Sequence, residues 1–129
     1  MPTSEDVEPC DLVDIYELAA AARDDDVRPQ HRPEERWFRY EDVGMVCLWE
    51  PQNRSETKRI SHWWVHEDHR DEGIGGALLN RAIAAAEQSD ATRLDIYVYD
   101  PDPVEERGFK PAEGGHAQDD AQYYEKDLS

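Results

Sequence analysis

The run Arg70-Asp71-Glu72-Gly73-Ile74-Gly75-Gly76-Ala77 holds the residue types with the most direct chemical meaning in this chain. It stands between an aromatic, strand-like segment ending at Val65 and an apolar pattern of helical spacing that begins near Ile74. Three glycines within four positions at such a junction leave backbone N–H groups unobstructed at a helix N-terminus, where nothing inside the helix can accept from them. That arrangement attracts phosphate. The spacing has neither the Gly-Lys-Ser/Thr ending of a P-loop nor the complete Gly-x-Gly-x-x-Gly dinucleotide pattern, so alone it defines an anion site and no more. Three histidines, His62, His66 and His69, lie just before it. Strand alternation sets His62 and His66 on one face and leaves His69 in the loop. No fourth ligand completes a zinc site, so no metal is expected.

The elements that must position these residues follow from periodicity. Residues up to about Val7 can form only a short edge strand, which Pro9 should end. Asp11 suits a helix N-cap, with Leu12, Ile15, Ala19 and Ala22 recurring at three-to-four spacing until Asp24-Asp25-Asp26 breaks the pattern. The polar stretch that follows, interrupted by Pro29 and Pro33, reads as a loop suited to acceptor contacts. Residues 37–41 and 45–50 form a hairpin around Gly44. Residues 57–66 form a third strand, in which Trp63, Trp64 and Val65 in succession fit burial on both faces.

After the glycine run, Ile74, Leu78, Leu79, Ala82, Ile83 and Ala86 line one side of a helix that reaches about Gln88. Leu94, Ile96 and Val98 then alternate with Arg93, Asp95, Tyr97 and Tyr99, as in a strand with one apolar and one mixed face. A strand, helix and strand in this order make a right-handed crossover between parallel neighbours. Asp100-Pro101-Asp102-Pro103 is a rigid turn, a single helical turn fits before Gly108-Phe109, and residues 122–126 can supply a last strand.

At 129 residues the chain is expected to be one domain over residues 1–129. Its 31 Asp and Glu against 14 Lys and Arg give a formal net charge of −17, which repels nucleic acid and anionic membranes. The acidity either attracts a cationic amine or is a solvated surface suited to a high-salt cytoplasm, and the scarcity of lysine favours the second. Cys10 and Cys47 make no redox or metal spacing. With no signal-peptide pattern at the start and no long apolar run, a cytoplasmic location is expected.

This order of elements, with Val65 and the Arg70 to Leu79 run at its centre, Gly108-Phe109 after it and Tyr124-Glu125-Lys126-Asp127-Leu128 at the end, resembles the GCN5-related N-acetyltransferase (GNAT) family. The early Asp11-Leu12-x-x-Ile15-x-x-Leu18 is similar to that family's first helix. The fold class implied is α/β with a mixed sheet: antiparallel N-terminal hairpin strands, a central strand, the glycine loop and helix, a parallel crossover strand and C-terminal strands. The activity implied is N-acetylation, with acetyl-coenzyme A as co-substrate, a small-molecule or peptide amine as acceptor, and homodimerisation left open.

The resemblance also implies a distribution of roles. Backbone groups of Trp63, Trp64 and Val65 would meet the pantetheine arm. Backbone N–H groups from about Glu72 through Gly73, Ile74, Gly75 and Gly76 to Ala77 would hold the pyrophosphate. Arg70 would contact a phosphate or brace the loop through a carboxylate. Asp71 and Glu72 depart from the neutral or basic residues usual there, and their carboxylates oppose an anion unless they point outward. Candidates for the proton-transfer groups are Glu56 and His62 as bases, with Glu50 nearby, and Tyr99 as acid, with Tyr97, Tyr123 and Tyr124 as substitutes. The family's usual tyrosine before Gly-Phe is missing, since four residues before Gly108 stands Val104.

Overall fold

Residues 3–10, 36–51, 56–70, 72–112 and 121–128 are described by the structure, a computed structural model. The helix expected from Asp11 and the loop after it lie outside these residues. Seven strands form one sheet: β1 (Glu8–Cys10), β2 (Arg36–Tyr40), β3 (Gly44–Trp49), β4 (Thr57–Val65), β5 (Arg93–Val98), β6 (Lys110–Pro111) and β7 (Gln122–Asp127), in the spatial order β1-β2-β3-β4-β5-β7-β6. Among the described strands β4 and β5 are the parallel neighbours, and the other pairings are antiparallel. The crossover between those two strands is α1 (Ile74–Glu87), and a single turn, α2 (Asp102–Glu105), follows β5.

The expected hairpin, central strand, helix and last strand are all present. The N-terminal edge differs: a 3-10 turn covers Ser4–Asp6, and the edge strand comes after Val7 and contains Pro9. Proline does not end this strand because β1 pairs on one side only, so its missing N–H need leave no ladder bond unmade. At the opposite edge, β6 contains Pro111 and was not foreseen.

One face of the sheet is covered by α1. Ile74, Leu78, Leu79, Ala82 and Ile83 of the helix pack with Val46, Leu48, Ile60, Leu94 and Ile96 of the strands. Burying each of these larger side chains contributes on the order of 1.5–3 kcal/mol. The helix lies close because Gly44 opens β3: a Cβ there would stand 2.9 Å from Leu78 Cδ1 and 3.2 Å from Ile74 Cγ2. Trp37, Met45 and Cys47 form a separate buried cluster, with Trp64 packed against it. Among the described residues no helix is long and apolar enough to cross a membrane.

Tyr124 joins the core from β7 at 4 % exposure. Burial, then the charges of Glu105 and Asp102 and a hydrogen bond to Glu105, raise its hydroxyl above the ordinary phenol value. The folded state therefore holds this proton more tightly than the unfolded chain. The resulting stabilisation is complete below the ordinary value of about 10 and is lost as pH rises through the folded one. Thermal melts across the alkaline range should show Tm falling, and falling less steeply in Tyr124→Phe. Parallel declines in the two proteins would assign the loss to other groups, Tyr40 among them, which is raised by burial and then by Glu41, Asp6 and Glu72.

Candidate functional site

The site begins where the sheet stops being continuous. β4 and β5 pair from Thr57↔Arg93 to Ile60↔Ile96 and no further, although both strands continue. A cleft of about 1010 Å³ opens there, with Ile60 to Val65 on one wall, Ile96 to Asp100 on the other, and Arg70, Gly75 and Pro103 at its ends. On the β3 side the register also shifts. Met45 faces Trp64 while Cys47 faces Ser61, so Val46 alone spans His62 and Trp63. This bulge puts His62 in the left-handed region at φ 51°, a conformation that costs a non-glycine residue about 1–2 kcal/mol.

The bulge decides which side chains face where. Trp63 and Val65 pack on the α1 side, and Trp64 packs on the Trp37 side. Trp63 Nε1 donates to the Gly75 carbonyl at 2.9 Å, which fastens the start of α1 to β4. Arg70 Nε donates to the Val65 carbonyl at 3.1 Å, so it braces the loop through backbone. The backbone of β4 past Ile60 thus forms one wall of the cleft without a ladder to β5.

At the base of α1, Gly73 is the N-cap with φ 87°, a conformation that needs glycine. The first intrahelical bond runs from the Ala77 N–H to the Gly73 carbonyl at 3.1 Å. Ala77 is therefore already committed, and the donors left without an intrahelical acceptor are those of Ile74, Gly75 and Gly76. Glu72 does not face this turn unopposed: its Oε2 lies 3.0 Å from His69 Nδ1. Asp71 lies outside the described residues. Among the described residues lining the cleft, Asp100 is the only carboxylate, in a chain of net charge −17.

The candidate proton-transfer groups are not all brought together. His62 lines the cleft, with Nδ1 3.0 Å from Ser61 Oγ and its ring 5.3 Å from that of Trp37. Tyr97 and Tyr99 line the opposite wall, Tyr99 at 71 % exposure. Glu56 is not brought to the cleft. It precedes β4 at the end remote from the opening, where its carbonyl receives the N–H groups of Thr92 and Arg93. Glu50 is not among the lining residues either. Tyr123 donates its hydroxyl to Asp95 at 2.6 Å, and Val104 is fully buried in the core. Among the described residues no group of three or more His, Cys, Asp or Glu side chains gathers as a metal site.

Beside the cleft runs a polar network that sequence patterning did not reveal. Asp95 is fully buried and accepts from Arg59 Nε at 2.8 Å and Nη2 at 3.0 Å. Arg59 lies over the rings of Trp49 and Tyr97. Burial alone would lower the Arg59 pKa, but its hydrogen bonds to Asp95 and that residue's charge outweigh burial and raise it. Trp49 Nε1 in turn donates to Ser61 Oγ at 3.0 Å, linking the network to the His62 contact. The alternation of Asp95 and Tyr97 with apolar residues was the only signal, and it could not supply the partner strands.

The family model described as acetyltransferase (GNAT) family matches residues 5–107. The chain belongs to this family. No curated protein sequence matches this GNAT chain. Among solved structures it is similar to N-acetylglutamate synthase from Neisseria gonorrhoeae, complexed with coenzyme A and L-arginine, with TM-score 0.68, 19% identity, and coverage of 95% of this chain but 32% of that one. A GNAT acetyltransferase from Staphylococcus aureus gives TM-score 0.71 at 14% identity, with 95% and 98% of the chains covered. An IAA acetyltransferase from Bacillus cereus gives 0.66 at 15%, with 94% and 97% covered. These likenesses concern the fold.

Proposed function

We propose that this GNAT protein is an acetyl-coenzyme A-dependent N-acetyltransferase, with residues 1–129 as one catalytic domain in the cytoplasm, acting on a small-molecule or peptide amine. The observation that carries the reading is the opening between β4 and β5 beyond Ile60 and Ile96, with the glycine turn of α1 at the same end. The residues fit the donor. Backbone of Trp63, Trp64 and Val65 offers amide groups to an extended pantetheine arm, and the N–H groups of Ile74, Gly75 and Gly76 face an anion with the helix dipole in support. Gly73 sets the turn, Arg70 holds it to β4, and Glu72 is engaged by His69.

Bound donor would supply a thioester. The neutral amine attacks its carbonyl carbon, the C–S bond breaks, and no covalent enzyme intermediate forms. His62 takes the proton lost by the amine, directly or through water, and the Tyr99 hydroxyl returns one to the departing sulfur. We assign Glu56 no part in this chemistry.

A second reading, a module that binds acyl-coenzyme A with little or no transfer, is favoured by the burial of Val104 where the family usually places its acid. Two measurements separate the readings. Acetyl-coenzyme A at molar salt should raise Tm, because a ligand that binds only the native state stabilises it. Absence of any shift at saturating ligand would sink both. Free thiol release across polyamines, amino acids and peptides should then exceed hydrolysis for at least one acceptor, whereas release at the hydrolysis rate throughout would select the binding module.

A further inference from the structure

A second guanidinium stands at the first turn of α1, contributed from the far side of the cleft. Arg107 follows α2 and reaches back to the helix, where its Nε donates to Asn80 Oδ1 at 2.6 Å and its Nη1 to the Pro103 carbonyl at 2.7 Å. Glu106 is a weak partner, 3.9 Å from Nη1 and 76% exposed. The remaining nitrogen, Nη2, lies against Gly76, where a Cβ would come within 2.8 Å of it. Gly76 and Asn80, four residues apart, share one face of α1, so Arg107 flanks that turn on the α2 side. Two nitrogens hold the side chain in place, and Nη2 keeps its N–H donors beside Gly76, the last of the three residues whose N–H groups are uncommitted.

We propose that Arg107 is a binding residue for the phosphate groups of the acyl donor, working with the N-terminus of α1. The proposal rests on the coenzyme reading above. Its physical basis is the charge problem at this turn. The chain is strongly acidic and Glu72 stands beside the turn, so besides the helix dipole only Arg70, whose Nε is taken by the Val65 carbonyl, offers attraction to a polyanion among the described residues lining the cleft. A guanidinium presents a planar set of donors suited to phosphate oxygens. Because Asn80 and Pro103 already fix its rotamer, little side-chain freedom remains to be lost on binding. A lysine here could not be pinned at two nitrogens and still donate from a third.

The alternative is a strut that only joins α1 to α2, and the experiment is built to tell them apart. Coenzyme A affinity is measured by titration calorimetry at several salt concentrations, and S-acetyl-pantetheine, which lacks phosphates, by NMR shifts at millimolar ligand. Arg107→Met should weaken coenzyme A about tenfold, within the range of a charge-assisted hydrogen bond. The loss should shrink as salt rises, and S-acetyl-pantetheine should be unaffected. Arg107→Gln serves the same purpose if the methionine variant folds poorly. Asn80→Ala loosens the strut but keeps the guanidinium, and should leave coenzyme A affinity within about twofold. Equal losses for both ligands, or a loss indifferent to salt, would make Arg107 a strut. Unchanged affinity in Arg107→Met would overturn the assignment while wild-type binding upheld the coenzyme reading. Failure of the wild type to bind coenzyme A would overturn both.

Discussion

Gly75→Glu is expected to abolish measurable coenzyme A binding, a loss of at least about a hundredfold, without unfolding the protein. The backbone at Gly75 is ordinary helix, and a Cβ there would make van der Waals contacts of 3.7 Å with Trp63 and Val65. The added side chain therefore fits the structure. Glutamate in the first turn of a helix is also favoured over glycine, by propensity and by the dipole, so Tm should hold or rise. What the substitution changes is the turn itself: a flexible carboxylate is planted among the N–H groups of residues 74–76, beside the cleft that Gly75 lines. Like charges repel the pyrophosphate, and the chain's own volume occupies its place. Gly75→Ala separates the two effects, since it adds volume without charge and should cost far less affinity. Calorimetric titration of the three proteins measures both, and near wild-type affinity in Gly75→Glu would show that the donor's phosphates bind elsewhere.

The largest effect on stability is expected at Asp95. Asp95→Ala should cost about 3–5 kcal/mol, the range for removing one partner of a buried ion pair. Asp95 is fully buried and holds both the Arg59 fork and the Tyr123 hydroxyl, so its loss leaves a desolvated guanidinium and a phenol without their acceptor. The rings of Trp49 and Tyr97 beside Arg59 offset only part of this. The double substitution Arg59→Met/Asp95→Leu should recover much of the loss, because apolar residues of similar volume remove the orphaned charge. Urea unfolding of the two single variants and the double variant gives the coupling. A cost below about 1 kcal/mol for Asp95→Ala would mean that the carboxylate is readily replaced by water.

How much of this was readable in advance depended on whether a feature is local in the chain. The glycine turn was legible because its residues are contiguous and sit where one periodicity gives way to another. The sheet order around β4 followed from the crossover, and the family resemblance then indicated an opening beside Trp63, Trp64 and Val65. The bulge was not legible: His62 is neither glycine nor asparagine, and nothing in Ser61-His62-Trp63 announces a left-handed residue. Burial of Asp95 depends on the β5–β7 register, which sets it beside Tyr123 from a distant segment. Arg107 carried no signal, since its position against Gly76 arises only when α2 folds back on α1. Glu56 illustrates the reverse case, a residue near the site in sequence that is not among the residues lining the cleft. Nearness in sequence to the central strand suggested a base, but the paired stretch Thr57 to Arg59 stands between it and Ile60, where the cleft begins. Pro9 was misjudged because a proline's effect on a strand depends on whether that strand has neighbours on one side or two.

That same proline has a consequence beyond the boundary of β1. The sheet ends in a strand of three residues at one edge and of two at the other, and each contains a proline, Pro9 and Pro111. Among the described residues, neither of these edge strands offers a long, regular row of donors and acceptors on which another chain could extend the sheet. Short, proline-bearing edge strands of this kind oppose extension of the sheet by another chain, and that effect, unlike repulsion between surface charges, is not weakened when salt screens the acidic residues.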